Sequence, residues 1–174
     1  MDVSELLLDG YGRLPSLVRS AVDGLTPDQL RWAPGAGANP IGWLVWHLTR
    51  VQDHHVSELL DGDQVWVAGG FAARFGLEPD PHNTGYGHRP AQLDTVRAES
   101  PDVLVEYYEA VAQRTDDLLR SLKPEDLDRV VDRRWDPPVT LGVRLVSILG
   151  DDLEHVGQAN YVRGLLHRSS SRRS

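Results

Sequence analysis

Apolar residues recur every three or four positions over four long stretches of this chain, the repeat of a helix with one buried face. In the first stretch Leu6, Leu7, Tyr11, Leu14, Leu17, Val18 and Ala21 mark a helix over roughly Val3 to Val22, with Pro15 as a kink point. In the second, Ile41, Leu44, Val45, Leu48, Val51 and Leu59 form a stripe that Trp43 and Trp46 widen. Asn39 is a good cap for this helix and Pro40 suits its first position, while Asp61-Gly62-Asp63 stops it after about Leu60. The third follows Ser100-Pro101 and runs to near Leu122 through Val103, Leu104, Tyr107, Val111, Leu118 and Leu119. The fourth follows an extended Asp136-Pro137-Pro138-Val139 and a capping Thr140. It reaches about Leu166 through Leu141, Leu145, Ile148, Leu149, Val156, Ala159 and Val162.

Short helical turns are expected after Thr26-Pro27 and at Pro124-Glu125-Asp126-Leu127. Between residues 63 and 100 the pattern weakens under Gly69, Gly70, Pro79, Pro81, Gly85, Gly87 and Pro90, with helical turns expected near Gly70–Phe75 and Leu93–Glu99. Long connections of this kind are uncommon in compact domains and are often functional. Val65-Trp66-Val67 and Arg129-Val130-Val131 are too short to carry a sheet. The predicted fold is therefore all-α: a four-helix bundle with a long irregular connection between its second and third helices. One domain is expected over residues 1–168, followed by a disordered polar tail over 169–174.

Composition narrows the function. A chain of 174 residues, 40% hydrophobic and 25% charged, is an ordinary globular domain with room for a core. Its formal net charge of -8 argues against nucleic-acid binding through a general basic surface. The absence of cysteine excludes disulfides, zinc ribbons and a cysteine nucleophile, and fits a reducing compartment. The acidic start Met1-Asp2-Val3-Ser4-Glu5 lacks the pattern of a secretory signal, and the apolar runs are shorter than the roughly 18–20 residues that span a bilayer. No membrane partner is expected, and the expected location is cytoplasmic.

The candidate chemistry lies on the second and fourth helices. Asp151 and His155 stand four apart and project from one face. An inward carboxylate on a bundle helix is unfavourable unless paired or metal-bound. His47, set between Trp46 and Leu48, offers a third ligand from another helix, and three protein ligands leave a position open for water or substrate. The same residues also fit a plain Asp–His hydrogen bond, an ion pair of Asp151 with Arg144 or Arg163, and a hydrogen-bonded core histidine at 47. His54 lies seven residues beyond His47, about 10 Å along the axis, too far to share its ligand shell. It is a rival for the ion or part of the pocket mouth, as is His55, unless Asp53-His54-His55 is only a solvated helix end. Gln158 is a candidate for orienting a ligand or for a structural hydrogen bond. His82, Tyr86, His88 and Arg89 in the irregular connection are further candidates for bordering a ligand.

Gly42-Trp43-Leu44-Val45-Trp46-His47-Leu48 and His155-Val156-Gly157-Gln158-Ala159 together resemble the DinB / YfiT-like superfamily of small metal-binding four-helix proteins. The likeness runs from the first helix through Leu166. The family pattern is a histidine in the second helix and a ligand-x-x-x-His pair in the fourth, often histidine at both places. Here the first of the pair is Asp151, which resembles the mycothiol-dependent maleylpyruvate isomerase branch, where a carboxylate stands there. The resemblance implies a divalent metal on His47, Asp151 and His155. Zinc is the first expectation, and nickel, manganese and iron(II) suit the same ligands. It also implies a low-molecular-weight thiol, plausibly mycothiol, as cosubstrate, attacking a small electrophile; His54 and Gln158 would border these molecules. A homodimer is the assembly common in the family. The alternatives are a non-catalytic, stress-associated binding protein of the same fold and a metal-dependent hydrolase.

Overall fold

The computed structural model describes residues 1–171, which are mostly helical. The first predicted helix divides into α1 (Val3–Gly12) and α2 (Leu14–Val22), with Arg13 as the joint and Pro15 in the first turn of α2. Asp2 closes α1 with a capping box to Glu5, so the acidic N-terminus is a helix start. A short α3 (Pro27–Leu30) carries a second capping box, from Thr26 to Gln29. Helix α4 (Ile41–Leu60) starts at Ile41, with Pro40 rather than Asn39 at the cap. It ends where Asp61 turns left-handed at φ 51°. Helix α8 (Pro101–Ser121) is capped by Ser100, whose hydroxyl accepts from the Val103 amide at 3.3 Å. Helix α9 (Leu141–Ser171) outruns its expected end near Leu166. Residues 169–171 of the expected disordered tail are thus helical, and 172–174 lie outside the described residues.

Helix α4 is central. Fourteen of its twenty residues are buried, and it packs against both α8 and α9. Helix α2 also packs on α8 and α9, and the Tyr11 hydroxyl of α1 donates to the Leu145 carbonyl of α9 at 2.7 Å. The shared core includes Leu14, Val18, Leu44, Trp46, Tyr107 and Leu145. The expectation of no sheet is corrected by β1 (Val130–Asp132) and β2 (Val139–Thr140), an antiparallel pair in which Val130 faces Thr140. Each segment is short, and the turn through 133–138 lets them pair, so length alone was a poor guide. The pair leads directly into α9, whose first amide, at Leu141, donates to the Arg129 carbonyl at 2.8 Å.

Residues 61–100 cross the end of this core through α5 (Val65–Ala68), α6 (Phe71–Arg74) and α7 (Pro90–Leu93). The turn expected at Gly70–Phe75 is α6; α7 precedes the one expected at Leu93–Glu99. One side chain of α4 holds much of this segment down. Arg50, fully buried, donates to the carbonyls of Asn83 (3.1 Å) and Pro81 (3.1 Å), to Gln64 Oε1 (2.9 Å) and to the Tyr107 hydroxyl (3.2 Å). Its guanidinium also lies over the Trp66 ring at 4.9 Å. Asp53, one turn on, accepts from the amides of Val65 (2.9 Å) and Trp66 (2.8 Å) and from the Tyr107 hydroxyl (2.8 Å). Burial pushes the Tyr107 phenol up, keeping it a neutral donor.

Removing Arg50 orphans several buried acceptors at once. Arg50→Leu is expected to lower stability by about 3 kcal/mol or more in urea unfolding. A loss under about 1 kcal/mol would show that the segment is held by its apolar contacts instead.

Candidate metal centre

The closest helix pair, α4 and α9, runs antiparallel: His47 meets the Asp151–His155 turn, and His55 meets Arg144. The structure brings His47, Asp151 and His155 together, each offering a donor atom, with all three atoms within 4.8 Å of one another. The imidazole centroids of His47 and His155 are 4.7 Å apart. His155 Nε2 stands 3.6 Å from Asp151 Oδ1, beyond hydrogen-bonding distance, so this pair does not close on itself. The indole of Trp43 stacks on His47 at 4.6 Å and presents itself edge-on to His155, walling the inner side.

The remaining ring nitrogens are tied off. His47 Nδ1 lies 2.5 Å from the Thr84 carbonyl, and His155 Nδ1 lies 3.2 Å from Gln158 Oε1. Both partners are acceptors, which assigns the proton to Nδ1 in each ring and leaves Nε2 with its lone pair. Metal-bound histidines are commonly oriented in this way. Burial pushes the His47 pKa below its ordinary value, with the Thr84 carbonyl opposing, so the ring is neutral at neutral pH, as a ligand must be. Asp151 Oδ2 is buried without a hydrogen-bond partner. Two imidazoles and a carboxylate oxygen without a hydrogen-bond partner fit a divalent cation.

Thr84 reaches His47 because Gly85 follows it. Gly85 has φ +89°, and a Cβ there would come within 2.8 Å of the Trp46 ring, 2.9 Å of His47 Nδ1 and 3.1 Å of the Trp43 ring. A side chain at this position would lift the connection off the histidine. Sequence reasoning treated Gly85 only as punctuation; its signal was the run of two glycines within Thr84-Gly85-Tyr86-Gly87-His88.

The other predicted residues distribute as follows. Gln158 touches His155 through its side-chain oxygen. His54 lines the same cavity of about 330 Å3 as His47 and Asp151, but its ring groups with His55 and Glu58, 3.6 Å from Glu58. His54, His55 and Glu58 also have donor atoms within 4.8 Å of one another, yet all come from one helix, and Arg144 Nη1 lies 3.4 Å from His55 Nε2. A guanidinium there opposes a cation. Tyr86, exposed, lies at the mouth of the cavity. His88 accepts from the Trp43 indole at 3.2 Å and pairs with Asn83 at 2.9 Å, which makes it a prop for the pocket wall. An Asp151–arginine ion pair is not formed among the described residues: Arg144 pairs with Asp132, and the charged or imidazole group beside Asp151 is His155, at 3.6 Å.

A sequence model of the DinB superfamily matches residues 11–159 of this chain. Among solved structures, that of a conserved protein from Enterococcus faecalis superposes with a TM-score of 0.87 at 30% identity, covering 95% of this chain and 98% of that one. No curated protein matches.

The geometry ranks three variants. By calorimetric zinc titration, His155→Ala is expected to abolish tight binding. Gly85→Ala is expected to weaken it by about 10–100-fold through the lost Thr84 contact. His54→Ala is expected to leave it within about threefold. Equal losses in the folded His54 and His155 variants would place the ion on the wrong group of residues.

Proposed function

The chain belongs to the DinB superfamily, and on that premise we propose that it is a divalent-metal-dependent transferase that uses a low-molecular-weight thiol, mycothiol first among them, to attack a small electrophile. The observation that carries this reading is the ligand set: two histidines with Nδ1 occupied and Nε2 free, beside an unpartnered buried carboxylate oxygen. His47, Asp151 and His155 would hold the ion. A divalent ion there lowers the pKa of a thiol bound to it and so supplies a nucleophile at neutral pH.

The residues do the rest. Thr84 and Gln158 fix the two rings, and Trp43 excludes water from the inner side. The cavity between α4 and α9 runs from Asp151 past Val51, Ser147 and Ile148, a pocket lined mostly by polar side chains with an apolar patch at Val51 and Ile148 that suits a small organic ligand. The chain has no cysteine, so the sulfur comes from the cosubstrate. In the reaction the thiol gives its proton to solvent, and its sulfur forms an S–C bond at the electrophile. In an addition the adduct then takes a proton back from solvent, and in a substitution the leaving group departs with the electron pair of its bond to carbon. This reading takes α1–α2, α4, α8 and α9 as the four rods of a bundle. It also includes a homodimer, supported by the exposed apolar residues Val143, Val146, Leu153 and Tyr161 on α9.

Conjugation should require both added metal and added thiol, and Asp151→Ala should lower it at least about 100-fold while circular dichroism stays unchanged. Mass spectrometry of a mycothiol–electrophile mixture reads the product. Unchanged conjugation after metal removal would sink the proposal, and metal-dependent turnover without thiol would assign a hydrolase in its place.

A further inference from the structure

The cavity lined by His47 and Asp151 has a neighbour, because His55 lines both it and a second one. Along α4, His47, Val51 and His55 follow one another at four-residue steps on one face, and along α9 Asp151, Ser147 and Arg144 run beside them in the opposite sense. The far end lies about 10–12 Å from the ligands by helix rise. There His55 is shared with a second cavity of about 560 Å3, lined by four arginines (129, 133, 134 and 144) against three carboxylates. A local excess of positive charge is unexpected in a chain with a net charge of -8.

Two of these arginines share a single carboxylate. Arg144 is the buried one, its side chain only 14% exposed. It donates to Asp132 Oδ2 at 3.0 Å and approaches His55 Nε2 at 3.4 Å. Burial and the Arg144 charge both lower the His55 pKa, so that contact supplies no countercharge. Asp132 is shared: Arg134 holds it through Nε and Nη2, both at 2.9 Å, and keeps its carboxyl well below the usual carboxylate range. One carboxylate thus serves two guanidiniums. The exposed Arg129 and Arg133 line the same cavity and make no side-chain hydrogen bond or ion pair among the described residues. Glu58 is turned to His54 and His55.

A half-compensated, largely buried guanidinium facing a cavity is a carboxylate receptor, since planar N–H donors match a carboxylate's two oxygens. We propose that Arg144, with Arg133 and Arg134, binds the carboxylate of the molecule occupying the α4–α9 groove, so that the protein selects ligands with a carboxylate at one end and their reacting group at His47, Asp151 and His155. The proposal deepens the transferase reading and rests on it for the reacting end. The carboxylate belongs either to the thiol or to the electrophile; the recognition chemistry is the same.

The test compares mercaptohexanoate with mercaptohexanol, equal in length and differing in the carboxylate, by calorimetry on the zinc-loaded protein. The acid is expected to bind at least about tenfold tighter, and Arg144→Met to remove that difference while leaving the alcohol unchanged. Arg133→Gln, at an exposed position, should reduce it severalfold and serves if the Arg144 variant does not fold. Equal binding of acid and alcohol to wild type overturns the proposal. Should neither thiol bind, the thiol reading fails, and the anion site is then decided by hexanoate alone. Saturable shifts of the Arg144 Nε–H resonance in the metal-free protein support the site, and their absence overturns it. Where the acid does bind tighter, Arg144-dependent binding of a thiol-free carboxylate electrophile assigns the carboxylate to the electrophile, and its absence assigns it to the thiol.

Discussion

Arg50 stands on α4 three residues beyond His47, with no solvent exposure, and donates its N–H groups to backbone carbonyls of the connection that follows α4. Burying a guanidinium is strongly unfavourable unless its protons find acceptors. Here the acceptors are Pro81, Asn83, Gln64 and Tyr107, and meeting that demand fixes where residues 81–83 must lie. Thr84 and Gly85 come next in sequence. With Asn83 held by Arg50, the Thr84 carbonyl arrives at His47 Nδ1, and the Cβ-less Gly85 lets the backbone settle on Trp43 and Trp46. A desolvated cation in the core thereby determines the tautomer and aim of a histidine one turn away. Asp53 completes the clamp by taking the first amides of α5, where the helix end carries partial positive charge.

The helices and the shared face of Asp151 and His155 could be read from the sequence because both depend on local spacing. Leu44, Leu48 and Val51 report their own face, and Asp151 and His155 share theirs whatever the rest of the chain does. What escaped was decided by contacts distant in sequence. Arg50 reads as a polar interruption of a stripe until its carbonyl partners thirty residues away are known. Gly85 reads as a loop glycine until it is seen against two tryptophans. Val130 and Thr140 form a ladder only because the intervening turn brings them together, and neither segment has enough residues to announce itself. The break at Arg13 was half visible: Pro15 signalled a bend, and the structure opens the helix two residues earlier. Asp151 has no arginine partner among the described residues: Arg144, about two turns earlier on α9, pairs with Asp132.

The antiparallel seam of α4 and α9 separates two kinds of chemistry. At one end imidazoles and a carboxylate concentrate lone pairs, and at the other guanidiniums concentrate N–H donors. Between them Val51 and Ile148 give an apolar floor. Such a groove reads a ligand by its two ends and by the length that joins them, so affinity depends on rigid spacing more than on buried area. The rigidity comes from the packing of the two long helices, while the loop set by Arg50 shapes one wall and Tyr86 stands at the mouth. Members of one superfamily can share the helices and differ in every one of these wall residues, which is why the fold alone does not name the reaction.

The central claim is that His47, Asp151 and His155 hold one divalent ion. Anomalous diffraction at the zinc edge from crystals grown with one equivalent of zinc locates that ion directly. The account predicts a single strong peak about 2.0–2.2 Å from Nε2 of His47, Nε2 of His155 and a carboxylate oxygen of Asp151. A peak on His54, His55 and Glu58 with the first three residues left without an ion would contradict it.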